Sequence, residues 1–429
     1  MPVFWYQLLV LMILPLYRLR VWLRSRHQVD YAIEVAERFG PIVNVQAQRQ
    51  QHPVWIHAVS VGETNAAQPI IAHLLAQGWP VLVTNTTRTG QARLRQLFAD
   101  QVQSVFLPVD SAALMQDFFD VYQPYAIGLI ETELWPNLLA QASQRQIPTV
   151  LLNARLSARS ARGYGKFASL TQPMVQQLSC IAAQDAATAQ RFINLSAQPE
   201  RVHVTGSLKF DLAPPQAALD LARHLFVDWQ LADRPILVAA STHDPEENQL
   251  LNIFKAIHTR YPKACLILVP RHPERFDRVA TLITDKGWSL AKRSAGQTIT
   301  PATSVYLADS MGELWTWYAL AQMAFVGGSL ATTGGHNPLE PARLGVPVVM
   351  GRHTFNFEPI VQALLIAGGL IQADDASGVA QTWQAWLSND GLRVQAGQAG
   401  QQVCLDNQGA LARQLAVLDQ LLSTVQISR

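Results

Sequence analysis

Charge is scarce in this chain, and what there is nearly cancels. Charged residues fill 15% of the 429 positions and the formal net charge is +2. With no field of one sign, nothing in the balance argues for nucleic acid as a partner. Cysteine is almost absent too. Cys180, Cys265 and Cys404 are odd in number, scattered and set among apolar neighbours. They read as reduced core residues of a cytoplasmic protein, with no disulfide framework and no zinc spacing. The chain has no D-x-D pair to hold a metal–nucleotide complex, no H-E-x-x-H and no Walker G-x-x-x-x-G-K. Nothing demands a metal or other cofactor, so phosphate charge would fall to basic side chains and helix N-termini.

Hydrophobic residues fill 49% of the chain, which suits buried parallel sheets with some membrane-facing surface. A long apolar run occurs once. Residues 3–17 are almost wholly apolar, and Arg18, Arg20, Arg24 and Arg26 follow at once. The run is short against the roughly 20 residues of a full span, and no small-residue cleavage site follows it. A retained anchor is expected, its arginines held on the cytoplasmic side against anionic headgroups. Whether it crosses the bilayer or lies in the interface stays open.

The length predicts two domains of roughly 200 residues each. Short β-branched runs alternate with amphipathic stretches, giving candidate strands at 54–59, 81–85, 105–108, 126–130, 149–152, 181–183 and 202–205. A break follows at Asp211-Leu212-Ala213-Pro214-Pro215. The alternation restarts at 236–239, 265–269, 305–307, 324–326 and 346–350. Two βα series of this kind predict an α/β protein of two Rossmann-like domains facing a cleft. The expected division is an anchor at 1–26, one domain at 27–212 and a second at 213–429. The last helix, about 410–425, is free to pack on either domain.

Ligands of such sheets bind outside the C-terminal strand ends, so the polar residues there are the ones to weigh. Phe325-Val326-Gly327-Gly328-Ser329-Leu330 leads to Gly334-Gly335-His336-Asn337-Pro338-Leu339-Glu340. The pattern predicts a strand, a glycine turn and a helix with Asn337 as N-cap, Pro338 first and Glu340 in the opening turn. Free N–H groups there would attract a phosphate. In the first half, Ser60-Val61-Gly62-Glu63 places a carboxylate at a strand end as a candidate general base. The same spacing is that of a capping box, in which Glu63 folds back on Ser60. Thr84-Asn85-Thr86-Thr87-Arg88-Thr89-Gly90 suits an anion or sugar, or is a turn. Glu131 and Glu133 crowd another strand end before Pro136.

Arg155, Arg159, Arg162 and Lys166 share one helical face, with Gly163 and Gly165 expected to break the helix. Beside an anchor they suggest a phosphorylated, membrane-held acceptor. Lys209 ends the first series. In the second, Ser241-Thr242-His243 precedes Glu246-Glu247. Val269-Pro270-Arg271-His272-Pro273-Glu274-Arg275 offers two arginines as phosphate partners. Asp309-Ser310-Met311-Gly312-Glu313-Leu314 opens a further helix, with Glu313 free to hold a hydroxyl or base edge.

Taken in order, segments 60–63, 86–90, 131–137, 153–157, 206–211, 241–243, 270–275, 311–314, 327–330 and 334–340 closely resemble the 3-deoxy-D-manno-octulosonic acid (Kdo) transferase family of lipopolysaccharide synthesis. Ten blocks in sequence are far more specific than any one. The match runs from the anchor to about Phe357. The resemblance implies a GT-B fold and an inverting, metal-independent transfer from CMP-Kdo. The acceptor would be the lipid A precursor lipid IVA, at the cytoplasmic face of the inner membrane. It further implies Glu63 as general base, with Glu131 and Lys209 stabilising the transition state. Pro270, Arg271, Met311, Gly312, Glu313, Asn337, Pro338, Leu339 and Glu340 would bind CMP. A transferase or epimerase acting on a UDP-sugar is the rival on the same architecture.

Overall fold

A computed structural model describes residues 4–28, 30–40 and 52–427; residues 1–3 of the expected anchor and 29, 41–51 and 428–429 lie outside it. The chain divides into two compact units, one of residues 1–211 with 409–429, the other of residues 212–408. Of the two packings open to the last helix, it takes the one on the first unit.

Unit one holds β1 (Val54–His57), β2 (Val81–Asn85), β3 (Gln103–Phe106), β4 (Ala126–Ile130), β5 (Thr149–Ala154), β6 (Cys180–Ala183) and β7 (Val202–Val204). They form one parallel sheet in the order β3-β2-β1-β4-β5-β6-β7. Its central strands read as unbroken apolar runs because helices cover both faces. Along β1, Val54 and Ile56 join one core cluster and Trp55 the opposite one, where its ring lies 4.7 Å from that of Phe118.

Unit two holds β8 (Ile236–Thr242), β9 (Cys265–Pro270), β10 (Leu290–Lys292), β11 (Val305–Leu307), β12 (Met323–Val326), β13 (Val348–Gly351) and β14 (Leu370–Ala373). They form a second parallel sheet, ordered β10-β11-β9-β8-β12-β13-β14. In the first sheet the chain winds outward in one direction, returns to the middle and winds the other way; the second does the same, except that β10 takes the edge before β11 fills the place beside β9. The reversal falls between β1 and β4 in the first sheet and between β8 and β12 in the second. Cys180, Cys265 and Cys404 are buried free thiols.

The helix Phe4–Ser25 is long and apolar enough to cross a membrane. It is tied to unit one near both ends. Tyr6 donates to Asp110 (2.8 Å) and Gln7 to Asn137 (2.6 Å), while Arg24 pairs with Glu34 (2.8 Å) and Arg38 donates to Tyr17 (3.3 Å). Leu11, Met12, Leu16 and Leu23 are 60–67% exposed along its outer side.

The tail helix Ala410–Ile427 inserts Ala410, Leu418 and Leu422 into the core of unit one. Its buried Gln414 accepts from the Asn153 N–H (2.9 Å) and donates to the Gly206 carbonyl (3.1 Å). Gln414→Leu leaves both groups without that partner, at about 1–3 kcal/mol each. A lowered melting temperature is expected in thermal unfolding; an unchanged one would mean the tail is not integral to the unit.

Candidate functional site

The strand-order reversal of the first sheet places the ends of β1 and β4 side by side, where ligands of wound sheets bind. β1 runs into Ser60, and the helix Val61–Ala76 brings Glu63 back over the strand end. Glu63 accepts the Val59 N–H on one oxygen (2.7 Å) and the Ser60 hydroxyl on the other (3.1 Å). The fold-back expected of a capping box thus occurs, but onto the Val59 N–H and the Ser60 side chain. Two donors leave several of a carboxylate's acceptor positions unused. Burial pushes its carboxyl up to about 7; the Val59 N–H pulls it back, and Glu133 and Glu131 push it up again.

Glu131 follows β4 with φ +64, a left-handed conformation uncommon for a residue with a side chain. Glu133 accepts from Trp135 Nε1 (2.9 Å) and lies 3.8 Å from His57 Nε2. The loop is fixed from beneath by buried Asp110, which accepts the N–H groups of Asn137 (3.0 Å) and Leu138 (2.9 Å) at the start of the helix Pro136–Gln144. Lys209 sits in the short helix Leu208–Asp211. Asn153 holds that turn by accepting the Leu208 N–H (3.1 Å), and Asp211 accepts the N–H groups of Gly409 and Leu411. Burial lowers the Lys209 ammonium, opposed by the charge of Glu131 and reinforced by that of Arg155. Glu63, Glu131 and Lys209 therefore share one electrostatic neighbourhood.

The basic stretch differs from its expected form. The helix Ala158–Lys166 runs unbroken through Gly163 and Gly165, and Ser157 caps it. Arg155 precedes the helix and leaves its face. Arg159, Arg162 and Lys166 are exposed on it, and Phe167 at its end meets Trp5 of the apolar N-terminal helix with ring centroids 6.0 Å apart.

In unit two the glycine loop departs most from expectation. Its N–H groups are not free. The buried Glu246 carboxylate accepts from His243 (2.9 Å), Gly328 (2.8 Å), Ser329 (3.0 Å), Leu330 (2.9 Å) and Ala331 (3.2 Å). The protein's own carboxylate fills the nest of the glycine loop, while the phosphate was expected at the helix start beyond it. Gly327 is required by packing, since a Cβ there would stand 2.4 Å from the Ser241 carbonyl oxygen. The next helix is Leu339–Arg343, one residue later than expected, with Pro338 before it. Asn337 therefore lies one place before the N-cap, where it accepts the Leu339 N–H (3.1 Å) and donates to Glu340 (3.3 Å).

His336 stands against His243, their Nε2 atoms 2.8 Å apart, with the His272 ring 5.2 Å from that of His243. Burial and neighbouring positive charge, Arg271 included, push His336 down to about 4, so it is neutral at pH 7. Burial pushes Glu340 up to about 7 against the pull of Asn337 and Arg271. Pro270 ends β9 buried, and Arg271 beyond it is exposed. The second arginine of that segment is committed elsewhere: Arg275 forks onto buried Glu247 at 2.7 and 3.0 Å. Met311 and Gly312 are exposed after β11, where Gly312 has φ +85. Glu313 is not free. Burial pushes it up, but Arg293 at 2.6 and 3.0 Å and Ser310 outweigh this and hold it below the usual carboxylate range. Among the described residues no cluster of His, Cys, Asp and Glu is arranged to hold a metal ion.

Residues 34–212 match the family described as 3-Deoxy-D-manno-octulosonic-acid transferase (kdotransferase). The chain is 40% identical over 419 residues, 97% of each chain, to the 3-deoxy-D-manno-octulosonic acid transferase of Haemophilus influenzae. It belongs to the Kdo transferase family. It is also 36% identical to the transferase of that name from Bordetella pertussis, over 95% of this chain and 96% of the relative. Family membership makes it a glycosyltransferase. The fold is similar to that of UDP-GlcNAc 2-epimerase from Neisseria meningitidis bound to UDP-GlcNAc, with TM-score 0.57 at 12% identity over 87% of this chain and all of that one. A glycosyltransferase from Rickettsia africae gives TM-score 0.55 at 12% identity, over 87% and 99%. These likenesses identify the fold as GT-B.

Sequence reasoning about this Kdo transferase missed Asp110 and Gln414, which position the site, and named Glu246 and Glu247 without their part in it. Only Glu246 and Glu247 carried a signal, as paired acids in a helix's first turn. Glu246→Ala is expected to remove hydrogen-exchange protection from the amides of Gly328, Ser329, Leu330 and Ala331. Protection retained in that variant would mean the loop holds itself.

Proposed function

We propose that this Kdo transferase moves Kdo from CMP-Kdo onto lipid IVA with inversion at the anomeric carbon. The observation that carries the reading is Glu63, a half-buried carboxylate at the first sheet's reversal with few donors and an affinity for protons near neutrality. The acceptor hydroxyl gives its proton to Glu63 as its oxygen bonds to the anomeric carbon. The bond from that carbon to the CMP phosphate breaks, and its electron pair leaves with CMP. Positive charge growing on the sugar is met by Glu131. Lys209 balances Glu131 and the charge shed toward the leaving group. Arg271, exposed at the end of β9, is the cation for the CMP phosphate, with Pro270, Met311, Gly312 and the segment 337–340 lining the nucleotide.

Glu313, already forked onto Arg293, serves that lining as a fixed acceptor for a ribose or base N–H or O–H. Kdo is the sugar that the relatives' transferase activity names. CMP as carrier, lipid IVA as acceptor, inversion and independence of metal are proposed with it. The N-terminal helix, bonded to unit one through Tyr6 and Arg24 alike, is proposed to lie in the cytoplasmic interface of the inner membrane. Its exposed leucines face the lipid, and Arg159, Arg162 and Lys166 meet the acceptor's phosphates.

Mass spectrometry of lipid IVA incubated with the protein and CMP-Kdo is expected to show added Kdo. Transfer should fall as pH drops through about 7, because protonated Glu63 cannot accept a proton. Arg271→Ala is expected to weaken CMP binding about tenfold or more by calorimetry, from loss of a charge-assisted contact. No mass gain from CMP-Kdo, or tighter binding of UDP than of CMP, would favour the UDP-sugar alternative.

A further inference from the structure

An apolar face would be enough for the helix Phe4–Ser25 to hold a membrane, yet its polar side chains bond to the supports of the catalytic loops in unit one. Near its start, Tyr6 donates its hydroxyl to the buried Asp110 carboxylate (2.8 Å). Asp110 in turn accepts the Asn137 and Leu138 N–H groups (3.0 and 2.9 Å), where the helix Pro136–Gln144 begins. Gln7 adds a second tie, its amide donating to Asn137 Oδ1 (2.6 Å). These bonds close the far end of the loop that carries Glu131 and Glu133. The near end is pinned by the Glu131 N–H on the Leu152 carbonyl (2.9 Å). Between the two pins Glu131 is held at φ +64, and a residue with a side chain keeps such a conformation only when its surroundings over-determine it.

The other end of the helix reaches the loop on the opposite side of β1. Arg24 bonds to buried Glu34 (2.8 Å), which also accepts from Arg88 (2.8 Å) in the segment after β2. Buried Arg38 donates to the Tyr17 hydroxyl (3.3 Å) and to the Thr86 carbonyl (2.6 Å). The Thr86 and Thr87 N–H groups donate to the Val59 carbonyl (3.3 and 3.1 Å), and the Val59 N–H is the one that holds Glu63 (2.7 Å). β2 and β4 are the two neighbours of β1, and the loop after β1 carries Glu63. The helix is therefore fastened to the loops on either side of that one.

We propose that the N-terminal helix braces the acceptor-side loops as well as contacting the membrane, with Tyr6 a positioning residue that acts through Asp110 on the Glu131 loop. The inference rests on that loop taking part in transfer, as the reading above has it. It does not require Glu63 to be the base.

The test uses the full chain as wild type, Tyr6→Phe and Leu16→Ser. Tyr6→Phe keeps the ring and removes only the hydroxyl, so the fold and the apolar surface stay. Hydrogen exchange at the Asn137 and Leu138 amides is expected to quicken about tenfold, as the loss of one hydrogen bond to a charged group implies. The kcat for transfer, read well below the melting temperature, is expected to fall about tenfold through misplacement of Glu131. CMP affinity and co-sedimentation with phosphatidylglycerol vesicles should match wild type. Leu16→Ser, on the exposed outer side of the helix, is expected to weaken co-sedimentation while exchange at the two amides stays slow. Wild-type kcat in Tyr6→Phe overturns the inference, whatever the exchange shows. Equal loss of protection in both variants also overturns it, since the effect would then belong to anchoring. A fall in kcat in Tyr6→Phe alongside an active Glu63→Gln enzyme would uphold the brace and refute the base.

Discussion

Burial of Glu63 beside two other carboxylates is the interaction on which the chemistry depends. A lone surface glutamate is too weak a base at neutral pH to compete for a sugar hydroxyl's proton. Desolvation and like charge raise its proton affinity, while one backbone N–H and one hydroxyl keep it in place without exhausting its acceptor positions. Those conditions arise because β1 and β4 are neighbours in the sheet although β2 and β3 lie between them in the chain. The winding order thus becomes an electrostatic fact.

Glu246 shows the opposite use of the same residue in the equivalent place. Each glutamate stands near the start of a helix, after the strand that begins its sheet's winding. Glu246 accepts five backbone N–H groups and holds the loop after β12 to the end of β8. Glu63 accepts one. The difference is invisible in sequence, because four of the five donors to Glu246 come from residues more than 80 positions away. A glycine loop looks like an anion site whether the anion is a ligand's phosphate or the protein's own carboxylate. Arg271 and Arg275 pose the same ambiguity, which Glu247 resolves by engaging Arg275 and leaving Arg271 exposed.

Much of the fold was legible because central parallel strands must be apolar on both faces. Residues 81–85, 126–130 and 305–307 coincide with strands β2, β4 and β11. The strands missed, β10 and β14, lie at the sheet's two edges; β10 has only three residues and β14 exposes Ile371 and Gln372. The tail helix was legible as a helix but not as part of unit one, since its Gln414 contact with Asn153 spans 261 positions. The basic helix kept its glycines without breaking, so Arg159, Arg162 and Lys166 remained together while Arg155 did not. At the site, strand-end placement and motif order pointed to Glu63, Glu131 and Lys209. Which neighbours tune them was written only in the packing.

The most direct measurement is a single turnover of Glu63→Gln with CMP-Kdo and lipid IVA, read with CMP affinity in the same preparation. The expected result is CMP binding like wild type and no Kdo transferred at any pH, because the amide oxygen can accept a hydrogen bond from the hydroxyl but is not basic enough to take its proton. Transfer at the wild-type rate, with its acidic limb still near 7, would contradict the account.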